Sequence, residues 1–421
     1  MNDEYFERIA DAILDEYLDY VGAVLIEGIK WCGKTSTAER KASSKLLIQN
    51  PDEREKIIAT ARVKPSLLLE GDAPRLLDEW QLAPNLWDAV RYEVDVRQAN
   101  GQFILTGSAT PSDDATRHSG TGRISRILMR PMSLYESKES DGSISLNTLF
   151  ESPNNVECIS KLTIERLAWA LIRGGWPGLM KIPERGVQIR MRDHLNSIAN
   201  SDVSKVDGIT RNPTLVKELM RSLSRNISSN ANVSTIQKDL RSNDYAISDR
   251  TVASYIDALR RIYVVEDLPG WSPAIRSKTA LRTSHKWHFA DPSLATAALR
   301  LTSKGLMGDL NTFGLLFESL CIRDLRIYAQ ALDGEVFHYR DKNDLEVDAI
   351  IHLDDGRWGA AEIKLGASEI DAAAKNLYKL KSKINEEKMG QPSFLMVLTA
   401  TEYGYIREDG VYVAPIGCLG P

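Results

Sequence analysis

The order of apolar and polar positions along the first part of the chain predicts an α/β fold. Residues 4–20 have apolar side chains at near-helical spacing between acids, which predicts an amphipathic lead-in helix. Four short apolar runs follow, at residues 23–26, 66–69, 75–77 and 103–105. Because helical stretches separate them, these runs predict parallel strands that are covered by helices on both faces.

The pattern changes beyond this region. Residues 137–155 are rich in Ser, Asn and Glu, which predicts a domain boundary, and a Gly-Gly-Trp-Pro-Gly break at 174–178 interrupts helices over 160–200. Three short amphipathic helices are predicted at residues 215–226, 232–243 and 248–262. The third has Ser248 as its candidate N-cap and runs into a Val-rich strand, as in a winged helix-turn-helix.

The last part of the chain again mixes helices and strands. A predicted helix at 312–330 precedes three strands, and a second helix precedes two more. The predicted strands lie near 335–340, 345–352, 358–365, 393–399 and 411–416, with the second helix at 368–384. This alternation predicts a second α/β domain after about residue 275.

Composition narrows the class of protein. The 421 residues include 53 Lys+Arg and 58 Asp+Glu, a net charge of -5, and 43% of them are hydrophobic. These values are typical of globular proteins and argue against a disordered or collagen-like chain. The length predicts two to four domains, and the mild acidity gives no global reason to expect nucleic-acid or membrane binding.

The cysteines and the N-terminus indicate the cellular setting. Cys32, Cys158, Cys321 and Cys418 are far apart and form no Cys-x-x-Cys pair, which argues against a zinc site or a disulfide framework. The N-terminal segment is charged throughout, unlike a signal peptide, and no run approaches the roughly 20 apolar residues of a membrane span. We therefore predict a soluble, cytoplasmic protein without membrane contact.

Residues 28–35, Gly-Ile-Lys-Trp-Cys-Gly-Lys-Thr, fit the phosphate-loop pattern G-x-x-x-x-G-K-[ST]. In such a loop, backbone amides surround the phosphates, Lys34 contacts the β and γ oxygens, and the Thr35 hydroxyl binds Mg²⁺. The preceding strand and the helix expected from Ser36 strengthen the assignment. The residues predicted to bind ATP are Gly28, Cys32, Gly33, Lys34, Thr35 and Ser36.

A second element of a phosphate-loop site is expected on a neighbouring strand. Residues 75–79, Arg-Leu-Leu-Asp-Glu, form an apolar run that ends in two carboxylates. We predict that Asp78 holds Mg²⁺ and that Glu79 polarises the attacking water. A strand that ends in Asp-Glu is common, so the structural alternative is an ordinary strand end.

Polar residues after the next run are further candidates. Thr106 or Ser108 could sense the γ-phosphate, although a turn after a buried strand is an equal alternative. Among Arg117, Arg123 and Arg126, we select Arg123 as the arginine that stabilises transition-state charge, within one chain or across a subunit boundary.

Several segments together resemble a prokaryotic AAA-type ATPase family whose members carry a C-terminal domain of unknown function with a restriction-endonuclease-like core. The N-terminal segments are GIKWCGKT, RLLDEWQLAPNLWDAVR, GQFILTGSATP and GRISRILMRPMSLYE. The later segments are GGWPG, HFADPSLA, GLLFESL, YRDKNDLEVDAII, AEIKLG and DGVYVAPIGCL, so the resemblance covers most of the chain. Trp31 and Cys32 depart from the Arg-x-Val of many members, at positions that contribute mainly backbone amides. The resemblance implies ATP binding.

Carboxylates in the last part of the chain predict a second site. Asp348 lies on one strand-like run, and Glu362 and Lys364 share one face of the next. A D…E-x-K set on adjacent strands suits metal-dependent phosphodiester cleavage, and Glu318 on the preceding helix could complete it. The alternative is a buried ion pair between Lys364 and either acid.

Basic residues in the middle region could bind DNA. Residues 201–262 hold ten Lys/Arg against seven Asp/Glu, and residues 271–290 hold four basic residues and no acid. Arg250, Arg260 and Arg261 are the candidate phosphate contacts. The alternatives are a solvated helical face and a protein-docking module.

These patterns predict three domains: a P-loop parallel-sheet ATPase domain at 1–150, a helical connector with a winged helix at 151–275, and a restriction-endonuclease-like domain at 276–421. We expect Mg²⁺-dependent ATP binding and hydrolysis, coupled to DNA binding or processing, with DNA and a second copy of the chain as candidate partners. The alternative is an ATP-gated switch or scaffold with an inactive nuclease-like domain that acts through protein partners. The sequence does not distinguish these from a component of a defence or toxin–antitoxin system.

Overall fold

The computed structural model describes residues 5–109, 120–151, 156–241, 247–273 and 285–421. The chain forms two compact units that interleave along the sequence. The first unit comprises Met1–Pro131, Asn200–Arg211 and Tyr255–Val264, and the second comprises Met132–Ala199, Asn212–Ser254 and Val265–Pro421. The division into three domains at residues 150 and 275 stays a prediction.

The first unit contains short helices around one sheet. Its helices are α1 (Ile9–Tyr20), α2 (Lys34–Lys41), α3 (Arg54–Val63), α4 (Asn85–Arg97) and the single turn α8 (Val203–Lys205). Its strands are β1 (Ala23–Glu27), β2 (Ser44–Leu47), β3 (Arg75–Asp78), β4 (Phe103–Gly107) and β5 (Ile124–Leu128).

The sheet of the first unit has five parallel strands in the order β2-β3-β4-β1-β5. The central strands are apolar and buried, and Phe103 and Leu105 pack with Trp87 of α4 in the core. Full burial of such a side chain stabilises the fold by about 1.5–3 kcal/mol. The parallel sheet predicted from the short apolar runs is confirmed, and all carboxyl ends of its strands lie at one edge.

One predicted strand in this region is a helix instead. Residues 66–69 are predicted as a strand, but Pro65–Leu69 forms a 3-10 helix. Pro65 occupies its first turn, where the missing N–H and fixed φ of proline are accommodated. The apolar pattern does not predict strands β2 and β5, which lie at the edges of the sheet, because two adjacent polar residues, Ser44-Lys45 in β2 and Ser125-Arg126 in β5, leave neither strand with a continuous apolar run.

The second unit carries most of the remaining helices. They are α5 (Leu146–Glu151), α6 (Ile164–Arg173), α7 (Glu184–Ser197), α9 (Pro213–Arg225), α10 (Val233–Arg241), α12 (Ser293–Ala298), α13 (Ser303–Met307), α14 (Leu310–Gln330), α15 (Ile370–Lys383) and α16 (Glu386–Met389). The residues of α11 (Asp249–Arg261) are divided between the two units.

The strands of the second unit are mostly near its end. They are β6 (Ile144–Ser145), β7 (Cys158–Ile159), β8 (Val265–Leu268), β9 (Lys286–Phe289), β10 (Gly334–Arg340), β11 (Glu346–Leu353), β12 (Trp358–Lys364), β13 (Leu395–Thr399), β14 (Tyr403–Ile406), β15 (Tyr412–Pro415) and β16 (Leu419–Gly420). Seven of them form a mixed sheet in the order β10-β11-β12-β13-β15-β14-β7.

The predicted pattern of this unit is largely confirmed. The helix expected at 312–330 is α14, and the helix expected at 368–384 is α15, which buries Leu377 against the sheet with Trp358 and Val397. The strands expected after α14 are β10, β11 and β12.

The predicted helix break and the middle helices are also present. Helix α6 ends at Arg173 before the Gly-rich break, and the Ser248 hydroxyl accepts a hydrogen bond from the backbone N–H of Thr251 at the start of α11. Helices α9, α10 and α11 are followed by the antiparallel pair β8–β9. Identification of this segment as a winged helix stays a prediction.

A buried ion cluster ties α14 to preceding loops in the second unit. Arg323 contacts Asp291 and Asp324, each at a distance of 2.7 Å, and both acids are completely buried. The acids also accept hydrogen bonds from the backbone N–H groups of Gly175 and Leu134. Arg323 is thus the shared cation of two acids that would be costly to bury without a partner.

No helix among the described residues has both the length and the apolar composition that crossing a bilayer requires.

Candidate functional site

The phosphate loop connects β1 to α2 and needs unusual backbone conformations. Gly28 has φ 147°, and a Cβ atom built on it would lie 2.1 Å from the carbonyl oxygen of Met129. Gly33, the residue before α2, has φ 109°, and Trp31 has φ 75°. Glycine is therefore required at position 28 both by conformation and by space.

Lys34 is the first residue of α2, and its side chain turns back over the loop. Its Nζ donates hydrogen bonds to the carbonyl oxygens of Gly28 at 2.9 Å and Ile29 at 2.8 Å, and the residue is only 5% exposed. The ammonium thus lies inside the curve of the loop, next to the helix N-terminus, where an anion is favoured.

The loop is held from outside by Arg8. Its guanidinium donates to the carbonyl oxygen of Cys32 at 2.8 Å and to that of Arg130 at 2.7 Å. Cys32 itself is buried, and its thiol contacts the carbonyl oxygen of Met129. Cys32 therefore anchors the loop with its side chain, which leaves backbone amides as its means of contacting an anion. Ser36 lies exposed in the first turn of α2.

Asp78 joins the loop to the neighbouring strands. Its Oδ1 accepts hydrogen bonds from the hydroxyls of Thr35 and Thr106, each at 2.7 Å, and its Oδ2 accepts one from Gln49 at 3.0 Å. The residue is completely buried at the carboxyl end of β3. The predicted pair Thr35 and Asp78 is thus brought together.

Glu79 follows β3 in a left-handed conformation, with φ 57°. Its backbone N–H donates to Thr106 Oγ1 at 3.1 Å, and its carboxylate accepts hydrogen bonds from Gln81 and from Ser108, the latter at 3.0 Å. Both bonds end on Oε2. A non-glycine residue with positive φ is sparsely populated and often marks a functional position.

The arginine selected from the sequence lies elsewhere. Arg123 directly precedes β5, and its Nε pairs with Asp95 at 2.9 Å. Because Ile124 is in register with Ala23, Arg123 lies at the amino edge of the sheet, whereas the loop follows the carboxyl end of β1. Arg126 pairs with Glu27 instead, and Arg117 lies outside the described residues. Within one chain, the structure does not bring Arg123 to the phosphate loop.

Two glutamines at this site were not predicted. Gln49 follows β2, which the apolar pattern did not reveal, and Gln81 lies two residues after the predicted carboxylates. A polar residue just beyond each strand at the carboxyl edge is the signal that could have identified them.

The second predicted site is a buried charge cluster in the second unit. Lys364 Nζ lies 3.0 Å from Asp348 Oδ2 and 2.8 Å from Glu362 Oε2, and the Ile363 N–H also donates to Asp348. Glu318 on α14 reaches the same group of acids, so the four predicted residues are together. The side-chain contacts between Lys364 and both acids also agree with the ion-pair alternative.

One member of this cluster was not predicted. Lys286 of β9 is 2% exposed, and its Nζ contacts Glu318, Glu346 and Asp348. Its signal in the sequence was weak, because Lys286 is the first residue of a four-residue strand, Lys-Trp-His-Phe, that also contains His288.

The charged groups of the cluster shift one another's pKa values. Burial and the nearby Asp348 raise the pKa of Glu318 to about 7 and that of Glu362 to about 8. Burial opposes ionisation of Asp348, but Lys286 and Lys364 prevail and lower its pKa to about 2. The same carboxylates outweigh burial and raise the pKa of both lysines.

The donor sets of the two sites differ in their fit to a metal ion. Thr35 and Asp78 present a hydroxyl and a carboxylate close together at a phosphate loop, the oxygen ligands that suit Mg²⁺. In the second cluster, lysine ammonium groups contact the carboxylates that a metal would use, and the described residues contain no group of three or more His, Cys, Asp or Glu arranged to hold a metal. The residues of that cluster do not fit the metal that a nuclease would need.

The candidate DNA contacts lie mainly on α11. Arg250 is exposed, whereas Arg260 pairs with Asp257 at 2.6 Å. Of the basic residues expected at 271–290, only Lys286 is among the described residues, and it is buried. Binding of DNA by this region stays a prediction.

Comparison with known proteins agrees with the N-terminal site. Residues 21–138 match the family model described as AAA domain. Residues 164–305 and 313–419 match two families described as domains of unknown function, DUF8612 and DUF4143. The resemblance to an AAA-type family with a C-terminal domain of unknown function is confirmed, and the restriction-endonuclease-like core stays a prediction.

Similarity of the chain to solved structures and curated proteins is weak or absent. A solved structure described as a Walker-type ATPase of Pyrococcus abyssi is 15% identical with a TM-score of 0.45, covering 71% of this chain and 97% of that chain. No match was found among curated proteins. The match to an AAA domain at residues 21–138 contains the loop at 28–35, and it is followed by the matches to two domains of unknown function.

Proposed function

We propose that the first unit binds and hydrolyses ATP with Mg²⁺ as its cofactor. The observation that carries the proposal is the pair of hydrogen bonds that Asp78 accepts from Thr35 and Thr106. They join the start of the phosphate-loop helix to the carboxyl ends of two neighbouring strands. In P-loop ATPases, nucleotide phosphates and metal are bound at this edge of the sheet.

Each residue of the phosphate loop has a defined part in binding. The backbone amides from Gly28 to Ser36 and the N-terminus of α2 would surround the phosphates. Lys34 would exchange its two carbonyl contacts for the β and γ oxygens, which carry full negative charge. Thr35 and Asp78 would hold Mg²⁺, which, when bound, neutralises charge on the phosphate oxygens.

Glu79 is the proposed general base. Gln81 and Ser108 hold its Oε2 in place, so we assign Oε1 to orient the attacking water and accept its proton. Thr106 contacts both the backbone of Glu79 and the carboxylate of Asp78, which fixes the positions of the proposed base and the proposed metal ligand relative to each other.

A direct test measures ATP binding and phosphate release by the full chain. A fluorescent ATP analogue should bind with Mg²⁺ present, and ATP should release inorganic phosphate in a reaction that EDTA stops. Absence of nucleotide binding at millimolar ATP would contradict the proposal.

For the second unit, we propose a restriction-endonuclease-like core that acts as a switch or scaffold rather than as a nuclease. Asp348 on β11 and the Glu362/Lys364 pair on the adjacent β12 support the fold. The buried Lys286 ammonium favours an inactive nuclease-like domain, since it lies among the acids that metal-dependent cleavage would use.

Incubation of the protein with plasmid or single-stranded DNA and Mg²⁺ or Mn²⁺ tests this second proposal. We expect no cleavage. Cleavage that is lost in both Asp348→Ala and Lys364→Ala would instead establish the nuclease, and DNA affinity at low salt that Arg250→Ala weakens would support a DNA-directed module.

A further inference from the structure

The ammonium of Lys286 lies at the meeting point of three carboxylates. Its Nζ is 2.7 Å from Glu346 Oε1, 2.9 Å from Glu318 Oε1 and 3.5 Å from Asp348 Oδ1. These acids come from β11 and α14, whereas the lysine comes from β9. Only the folded unit therefore brings the cation to the acids.

An ammonium group matches this environment in its number of hydrogen-bond donors and in its charge. It carries three N–H donors and no acceptor, and three carboxylates surround it. A lysine that is 98% removed from solvent remains charged only where such partners compensate for the lost water. The position is thus built for a cation, and the protein supplies that cation itself.

Two further carboxylate oxygens of the cluster contact a second lysine. Lys364 contacts Asp348 Oδ2 and Glu362 Oε2, so both oxygens of Asp348 have donors. Among the described residues, Glu362 Oε1 is buried without a hydrogen-bond partner. One such oxygen cannot coordinate a divalent ion alone, since Mg²⁺ or Ca²⁺ needs about six oxygen ligands.

We propose that Lys286 is the resident cation of this cluster and stands where a divalent metal would otherwise bind. The cluster is then a metal-free ion-pair core. Replacement of Lys286 by a neutral side chain leaves Glu318, Glu346 and Asp348 facing one another without their shared cation, and this arrangement should accept a divalent ion. The inference concerns the second unit only and holds or fails independently of the proposed ATPase.

Mn²⁺ titration of the nucleotide-free full chain tests the proposal, with free Mn²⁺ measured by electron paramagnetic resonance. We expect Lys286→Met to bind one Mn²⁺ at least ten-fold more tightly than the wild type does. The gain should disappear in the Lys286→Met/Asp348→Asn double variant, which separates this site from the phosphate loop. Lys304→Met, at an exposed position of α13, is the matched control and should bind Mn²⁺ as the wild type does.

Two results would overturn the proposal. One is Mn²⁺ binding by the wild type that Asp348→Asn abolishes, because the metal would then share the site with Lys286 in place. The other is a folded Lys286→Met protein with no gain in Mn²⁺ affinity, because the cluster would then not be a cation site.

If Lys286→Met does not fold, melting temperatures of the wild type and of Asp348→Asn test the proposal instead. Equal melting temperatures in Mn²⁺ and in EDTA would uphold the resident ammonium. A melting temperature that rises with Mn²⁺, with the rise lost in Asp348→Asn, would overturn it.

Discussion

The Thr106 hydroxyl donates a hydrogen bond of 2.7 Å to Asp78 Oδ1 and thereby joins the carboxyl ends of β4 and β3. The same oxygen atom of Thr106 accepts the backbone N–H of Glu79 at 3.1 Å. One threonine thus positions both the proposed metal ligand and the backbone of the proposed base, a role more specific than sensing the γ-phosphate.

Replacement of Thr106 by valine should affect both stability and activity. Thr106→Val keeps the shape but removes one of the three hydrogen bonds that Asp78 accepts and leaves the Glu79 N–H without its partner, which should cost about 1–3 kcal/mol of unfolding free energy. Urea unfolding and phosphate release measure the two effects. Thr60→Val, on the exposed side of α3, should change neither quantity, and equal behaviour of the two variants would contradict the role of Thr106.

Loss of the loop lysine should abolish nucleotide binding. Lys34→Ala removes the only side-chain ammonium inside the curve of the described phosphate loop, so affinity for MgATP should fall below detection in a nucleotide titration. Lys56→Ala, at an exposed position of α3, is the matched control. Wild-type affinity in Lys34→Ala would refute the assignment of the loop.

Neutralisation of the proposed base should separate binding from hydrolysis. Glu79→Gln keeps the size of the side chain but cannot accept a proton from water, so kcat should fall by about 10²–10⁴ while ATP affinity is retained. Glu55→Gln, on exposed α3, should hydrolyse ATP at the wild-type rate. A Glu79→Gln protein with undiminished kcat would require another base.

Removal of the guanidinium from the buried ion cluster should destabilise the second unit. Arg323→Leu leaves Asp291 and Asp324 buried without their shared cation, which should cost about 3–5 kcal/mol. Thermal or urea unfolding checks this, with the exposed Arg185→Leu on α7 as the comparison. A loss below about 1 kcal/mol would mean that the acids take up protons or water instead.

His288 should make stability depend on pH. Burial, with nearby Arg326, Lys286 and His338, lowers its pKa well below 6.5, so the folded protein keeps it neutral. Below pH 6.5 only the unfolded chain takes up this proton, so the contribution of His288 to stability should fall as the pH falls, by about 2 kcal/mol between pH 6.5 and pH 5, whereas the raised pKa values of Glu318 and Glu362 act in the opposite direction. His288→Gln should remove this part of the slope in urea unfolding at the two pH values. An unchanged slope would show that other groups cause it.

The sequence indicated that Thr35 and Asp78 lie together because the candidate nucleotide site is built from local patterns. Phosphate-loop glycines and Lys34 are contiguous, and Asp78 lies at the end of a recognisable apolar run. Prediction failed where sheet register decides the outcome: Arg123 is close to the site along the chain but lies at the opposite edge of the sheet. Lys286 was missed because its acids lie 32 or more residues further along, and only tertiary packing brings them to it.

The interleaving of the first unit bears on how the proposed ATPase could be isolated. The AAA match ends at residue 138, yet Lys30 of the phosphate loop pairs with Asp202 at 2.5 Å, and Arg211 stacks over Tyr255 in the same unit. The match also begins after Arg8, which braces the loop through Cys32. An excised piece bounded at 21 and 138 would thus lose two contacts that support its phosphate loop, and an autonomous fragment should retain the N-terminal segment with Arg8 together with segments 200–211 and 255–264.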